Sequence, residues 1–218
     1  MLDWDIIENL VKCSYRSLLT GPPGTGKTTL AARSLKDSLI ITLNEESTTA
    51  ELFGHWVPKG AAFEWHYGAL SRAWKEGRGL VLNEINFASG AVLTALNAGL
   101  DDPEVAEVYL PNGEIIKPQK GFQVVATMNG SFDELPRPLK DRFEIKIECS
   151  HPHPQALAQL PIWAQNQFST SNTKWNFTLR ELLAFNSLVT KGIDLEVAAS
   201  ATVGERAADL INLVKLSD

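Results

Sequence analysis

Only two cysteines, Cys13 and Cys149, occur in 218 residues, too few and too far apart in sequence for a disulfide framework. Cysteine and histidine form no cluster with zinc-site spacing, and His151 and His153, which flank Pro152, read as residues of a proline-rich turn. Positive charge is in deficit. The 20 Lys and Arg against 26 Asp and Glu leave a formal charge of −6, and no basic stripe is present, which disfavours a surface that grips nucleic acid or an anionic membrane by bulk attraction. No apolar run approaches the ~18 residues of a membrane span. At the N-terminus Asp3, Asp5 and Glu8 interrupt the apolar residues, unlike a signal peptide. There is no internal repeat and no low-complexity tract. A soluble, cytoplasmic protein is expected, and a hydrophobic content of 44% suffices for one α/β domain with a small appendage.

What the chain does contain is Gly21-Pro22-Pro23-Gly24-Thr25-Gly26-Lys27-Thr28, the spacing of a phosphate-binding loop. Ser17-Leu18-Leu19 before it reads as a short buried strand, and the run Thr29 to Leu35 after it reads as a helix, which is the context such a loop requires. Gly21, Gly24 and Gly26 let successive N–H groups and the helix N-terminus converge on a phosphate. Lys27 would add a mobile positive charge at the β- and γ-phosphates, and the Thr28 hydroxyl would ligate Mg²⁺.

Further along, Leu39 to Leu43 is strand-like, and the aromatics between His55 and Trp74 predict a packed hairpin and helix, with Ala69 to Lys75 helical. Gly79-Leu80-Val81-Leu82 then forms an apolar strand that delivers Asn83 and Glu84 at its C-terminal end, the edge where open α/β sheets bind ligands. Most phosphate-loop proteins carry Asp at the position of Asn83. Asparagine keeps the oxygen acceptor and loses the charge, so a weakened metal site is expected, with Glu84 as general base. A third strand, Phe122 to Thr127, ends in Met128-Asn129, whose amide could orient the attacking water. Ala91 to Leu100 is helical in pattern, and Tyr109 to Ile116, with Asn112-Gly113 at its turn, has the pattern of a hairpin. After Cys149, helical periodicity covers Gln155 to Gln167 with an interruption or new start at Pro161, Leu179 to Thr190, and Leu195 to Leu216 with Gly204 near its middle.

The order GPPGTGKTTL, LVLNEINFAS, VVATMN and LPRPLKDRF resembles that of the AAA+ ATPases, and within them the MoxR-like branch related to dynein, midasin and the restriction motor McrB. The resemblance implies a P-loop NTPase three-layer α/β sandwich with a mostly parallel sheet over residues 1–149, followed by a small helical lid over 150–218, a length that is short for this family's lid. It implies ATP and Mg²⁺ held by a Walker A loop of Gly21, Pro22, Pro23, Gly24, Thr25, Gly26, Lys27, Thr28 and Thr29, with Thr28 and the Walker B Asn83 at the metal. Glu84 matches the catalytic Walker B acid, Asn129 matches sensor 1, and Arg180 resembles the sensor 2 arginine. Arg142 matches the arginine finger that reaches a neighbouring subunit's ATP, with Arg137 as the second candidate. A site completed in trans implies a ring, a homo-hexamer, that remodels or matures a partner protein, as in branch members whose partners carry a von Willebrand factor A domain. Trp56, Phe63 and Trp65 are candidate contacts to such a partner, and Leu10 and Val11 candidate contacts to the base.

Other function classes fit less of the chain. A nucleotide-dependent switch with little hydrolysis is supported by Asn83. A small nucleotide kinase would leave Asn129 and Arg142 unexplained and lacks an arginine-rich lid, and a nucleic-acid motor conflicts with the acidic balance.

Overall fold

A computed structural model describes residues 2–168 and 175–216. Positions 169–174 and 217–218 of the expected lid lie outside the described residues. The strands in chain order are β1 (Arg16–Thr20), β2 (Leu39–Thr42), β3 (Gly54–Lys59), β4 (Ala62–Tyr67), β5 (Gly79–Asn83), β6 (Val108–Tyr109), β7 (Ile115–Ile116), β8 (Gln123–Thr127) and β9 (Ile145–Glu148).

Five of these form one all-parallel sheet in the order β2-β5-β8-β1-β9. Leu18, Leu19, Leu80, Val81, Leu82, Val124, Val125 and Ala126 are all buried, because strands covered on both faces need apolar side chains at successive positions rather than at alternate ones. The pairings Leu19 with Thr127 and Thr42 with Asn83 bring the C-terminal ends of β1, β2, β5 and β8 to one edge. This is the doubly wound P-loop NTPase architecture that the motifs imply, and the helix Lys27–Ser34 follows directly from the glycine-rich loop. Trp74, fully buried, meets Phe122 edge-on at 6.2 Å and anchors the helix Ala69–Glu76 to the sheet.

The two expected hairpins are present. β3 and β4 pair antiparallel from Gly54 with Tyr67 to Lys59 with Ala62, and the helix Ala69–Glu76 that follows is closed by Gly77 at φ 62°. β6 and β7 are joined through Asn112, whose side chain accepts from the Glu114 N–H at 3.0 Å. Of the elements with no counterpart in the sequence reading, which include the short helices Thr49–Phe53 and Arg137–Lys140, two are longer or belong to the central sheet. One is the helix Trp4–Cys13, started by the Asp3 carboxylate accepting from Asp5 N–H and burying Trp4, Ile7 and Val11. The other is β9, in which Ile145 and Ile147 alternate with Lys146 and Glu148 as suits an edge strand.

The chain divides into two compact units, Met1–Gly21 with Lys27–Glu148, and Pro22–Gly26 with Cys149–Asp218. The second unit has its own core, including Leu160, Phe168, Phe177, Leu182, Phe185, Ala198 and Leu210. Its longest helix, Leu179–Thr190, has the expected bounds and opens with a capping box. Thr178 Oγ1 accepts from Glu181 N–H, and the Glu181 carboxylate accepts from Thr178 N–H at 2.7 Å. The helical segment expected over Leu195 to Leu216 is divided in two. Gly204, at φ 58° and ψ −124°, ends the helix Leu195–Val203, and a short 3₁₀ turn leads into a separate helix, Ala207–Lys215. Pro161 likewise splits its segment, capping Ile162–Asn166 after the short helix Pro154–Leu157. Among the described residues no helix is long and apolar enough to cross a membrane.

Candidate functional site

The C-terminal sheet edge carries two hydrogen-bonded chains of side chains. In the first, Lys27 Nζ donates to the Gly21 carbonyl at 2.9 Å and to Asn129 Oδ1 at 3.1 Å. Asn129 Nδ2 in turn donates to Glu84 Oε1 and Oε2 at 3.0 and 3.1 Å. Lys27 is buried, so its ammonium is desolvated and held by fixed oxygens, the condition under which a point charge acts most strongly on an anion.

The second chain centres on Asn83. Its Oδ1 accepts from Thr28 Oγ1 and from Thr127 Oγ1, both at 2.7 Å, while its Nδ2 donates to Thr42 Oγ1 at 3.3 Å. Because Thr28 gives its proton to Asn83, its oxygen lone pairs stay free for another partner. Glu84, one residue on, adopts φ 57° and ψ 45°, a left-handed conformation uncommon for a non-glycine residue. The strand therefore turns sharply between the metal-type side chain and the carboxylate.

In the loop itself Gly21, Gly24 and Gly26 have φ of 133°, 79° and 105°, values that L side chains rarely adopt. Within the second unit, Thr25 Oγ1 donates to the Pro22 carbonyl at 3.2 Å, and the Thr25 carbonyl accepts from His153 N–H at 2.9 Å. A Cβ added at Gly24 would lie 3.6 Å from the Arg180 backbone nitrogen, which brings Arg180 beside the loop, with its side chain exposed. His153 caps the helix Pro154–Leu157 through Nδ1, accepting from Gln155 N–H.

The structure joins Lys27, Thr28, Asn83, Glu84 and Asn129 into this arrangement and holds Arg142 by other contacts. Arg142 Nε donates to the Asn97 carbonyl at 3.3 Å, and its guanidinium pairs with Asp101 at 3.5 Å. Arg137 is more open, with 91% of its side chain exposed and a 3.9 Å pair to Asp141. Sequence reasoning did not find Thr42 and Thr127. Each is a hydroxyl at a strand end, and only the lateral order of the strands makes it a partner of Asn83.

The donor set suits a hard cation. Thr28, Asn83 and Glu84 offer hydroxyl, amide and carboxylate oxygens, with no thiolate or imidazole among them, as Mg²⁺ prefers.

Residues 16–143 match the AAA domain family, dynein-related subfamily. The chain belongs to this family. It is an AAA+ protein of the MoxR and midasin type. Midasin of Dictyostelium discoideum is 34% identical over 217 residues, a match covering 80% of this chain and 4% of midasin. Protein NorQ of Paracoccus denitrificans is 31% identical over 145 residues, covering 63% of this chain and 53% of NorQ. This AAA+ chain thus spans a small part of midasin and about half of NorQ. Among solved structures, a candidate ATPase from Cytophaga hutchinsonii shares the fold, with a TM-score of 0.55 and 19% identity over 86% of this chain and 58% of its own.

Proposed function

We propose that this AAA+ chain binds ATP with Mg²⁺ and hydrolyses it, as a subunit of a homo-hexameric ring that remodels or matures a partner protein in the cytoplasm. The observation that carries this reading is the continuous chain Gly21–Lys27–Asn129–Glu84, which joins the phosphate-loop lysine to a carboxylate through one amide. In this reading the backbone of Gly21, Pro22, Pro23, Gly24, Thr25 and Gly26 cradles the phosphates, and Thr29 continues the helix whose N-terminus faces them. Lys27 places its charge at the β- and γ-phosphates. Thr28 and Asn83 hold Mg²⁺, which when bound offsets charge on the phosphate oxygens.

Glu84 orients and deprotonates the attacking water, and Asn129 fixes the direction of that carboxylate. Arg142 acts on the ATP of the next subunit and Arg180 on that of its own, each stabilising charge developing on the γ-phosphate. The partner reads the inserted hairpin, on which Trp56 and Phe63 are 49% and 67% exposed, and a von Willebrand factor A domain is the partner class that the family resemblance suggests.

The test is steady-state ATP hydrolysis per subunit over a wide range of protein concentration, with Glu84→Gln and Arg142→Ala. Specific activity that rises with concentration and is lost in both variants supports the assembled ATPase. Full activity at high dilution, or in Arg142→Ala, overturns the trans-completed ring.

A second reading has one observation in its favour. Asn83 is neutral and its single side-chain oxygen already accepts two hydroxyl protons, so metal attraction is weaker than an aspartate would give. A nucleotide switch with slow turnover follows, marked by tight ATP binding and negligible hydrolysis at every concentration.

A further inference from the structure

The inserted hairpin presents two chemically different faces. Trp56, Pro58, Phe63, Trp65 and Tyr67 alternate onto one side, where Trp56 meets Trp65 edge-on at 5.4 Å. On the other side His55 stands directly opposite His66 across the antiparallel pair, with both residues exposed and their ring centres 6.4 Å apart at 43°. Cross-strand partners on one face have Cβ atoms about 4.5–5.5 Å apart, close enough for one atom to bridge their side chains. The sheet pairing fixes this spacing before any ligand arrives.

We propose that His55 and His66 form a two-imidazole site for a borderline transition-metal cation of the Cu²⁺, Ni²⁺ or Zn²⁺ class, on the hairpin and separate from the nucleotide site. An ion bound ~2.0–2.1 Å from a ring nitrogen sits about 3 Å from the ring centre, so two rings sharing it have centres about 5–6 Å apart. The observed pair reaches that spacing by a side-chain rotation that closes it by about an ångström. Histidine nitrogen selects these ions over Mg²⁺ and Ca²⁺, and Cu²⁺ should bind most tightly of the three. Glu64 lies two residues from His66 on the same face and pairs with Lys59, so the two imidazoles supply the bonds and solvent fills the remaining positions. Among the described residues no group of three or more metal-binding side chains occurs, which makes this an open, exchangeable site. Bound metal would join β3 to β4 at the end of the hairpin away from its turn and stiffen the aromatic face behind it.

Calorimetric titration of the full chain with each cation alone, without nucleotide, tests this. One equivalent is expected to bind. The affinity should fall at least tenfold in His55→Ala, His55→Gln and His66→Ala, and persist in His151→Ala/His153→Ala and in millimolar Mg²⁺. Cys13 is exposed, so Cys13→Ser separates thiol binding from imidazole binding and should retain the site. Wild-type affinity in either single histidine variant, or loss of binding in Cys13→Ser, overturns the proposal. Both histidines are exposed, and unchanged circular dichroism in the variants shows that loss of metal is not loss of fold.

Discussion

Asn129 Nδ2 donates to both carboxylate oxygens of Glu84, at 3.0 and 3.1 Å, while Asn129 Oδ1 accepts from Lys27 at 3.1 Å. One amide thus fixes the orientation of a carboxylate that follows β5 and an ammonium that opens the helix Lys27–Ser34, groups far apart in sequence. Asn129→Ala removes both restraints without changing the charge of the site. Turnover should fall on the order of 10²-fold, the scale of a misdirected catalytic group, while nucleotide affinity changes little. Parallel measurement of kcat and of fluorescent-nucleotide binding checks this, and equal losses in both would show that Asn129 serves binding instead.

Asn83→Asp restores a charge where the chain has an amide. The Nδ2 donor to Thr42 is lost, but Thr42 can reverse its hydroxyl and donate, so the hydrogen-bond network can close again. Replacing a neutral hydrogen bond by a charge-assisted one gains about 1–1.5 kcal/mol, so half-saturating Mg²⁺ for nucleotide binding should fall by roughly 5- to 10-fold. An unchanged Mg²⁺ requirement would remove Asn83 from the metal site.

Lys75 Nζ donates to Glu114 at 2.5 Å and to Tyr67 Oη at 2.9 Å, tying the two hairpins to the helix between them. The Glu114 carboxyl is lowered by the hydrogen bonds from Lys75 and then Tyr67, and the Lys75 amine is raised by the bonds to Glu114 and then Tyr67. A lowered acid stabilises the fold above its ordinary carboxylate range and ceases to do so as pH falls through the shifted value. A raised amine stabilises below its ordinary range and ceases as pH rises through the shifted value. Both contributions are therefore present around neutral pH. The side chains are 35% and 34% exposed, so solvent screening keeps the pair's worth below about 1 kcal/mol. Glu114→Gln should lower Tm by about 1–4 °C near pH 7, with the gap closing in acid. A constant gap from neutral pH to well below the carboxylate range would contradict this account.

Gly68 and Gly90 should respond oppositely to alanine. A Cβ at Gly68 would strike the Leu52 carbonyl carbon and the Glu51 carbonyl oxygen, backbone that cannot swing aside, whereas one at Gly90, the first residue of the helix Gly90–Gly99, meets nothing within 4 Å. Gly68→Ala should cost about 1–3 kcal/mol, and Gly90→Ala should be neutral or gain up to about 1 kcal/mol. Urea unfolding of the two variants decides it.

The central strands were legible because each is a short apolar run bounded by turn residues, and the loop because its glycines and Lys27 have a fixed spacing. β9 was harder to read, since Ile-Lys-Ile-Glu carries only half the apolar signal of β5 or β8. The helix Trp4–Cys13 was hidden because Asp3, Asp5 and Glu8 read only as a disruption of an apolar stretch, whereas Asp3 caps it and the other two lie within it. Gly204 lay inside a helical period, and periodicity does not reveal the backbone angles that break it. At the site, Lys27, Asn83, Glu84 and Asn129 could be named from their neighbours in sequence. The hydroxyls of Thr42 and Thr127 could not, because their role depends on which strand lies beside β5.

The left-handed backbone at Glu84 places two demands on a single position. Aspartate or asparagine would occupy those angles more comfortably, yet either is one methylene shorter and would bring its polar group less far toward Asn129. Glycine would relieve the backbone and remove the carboxylate altogether. Residue 84 therefore retains a conformation its own chemistry does not favour, and a library selected only for thermal stability should drift away from glutamate there while one selected for turnover should keep it.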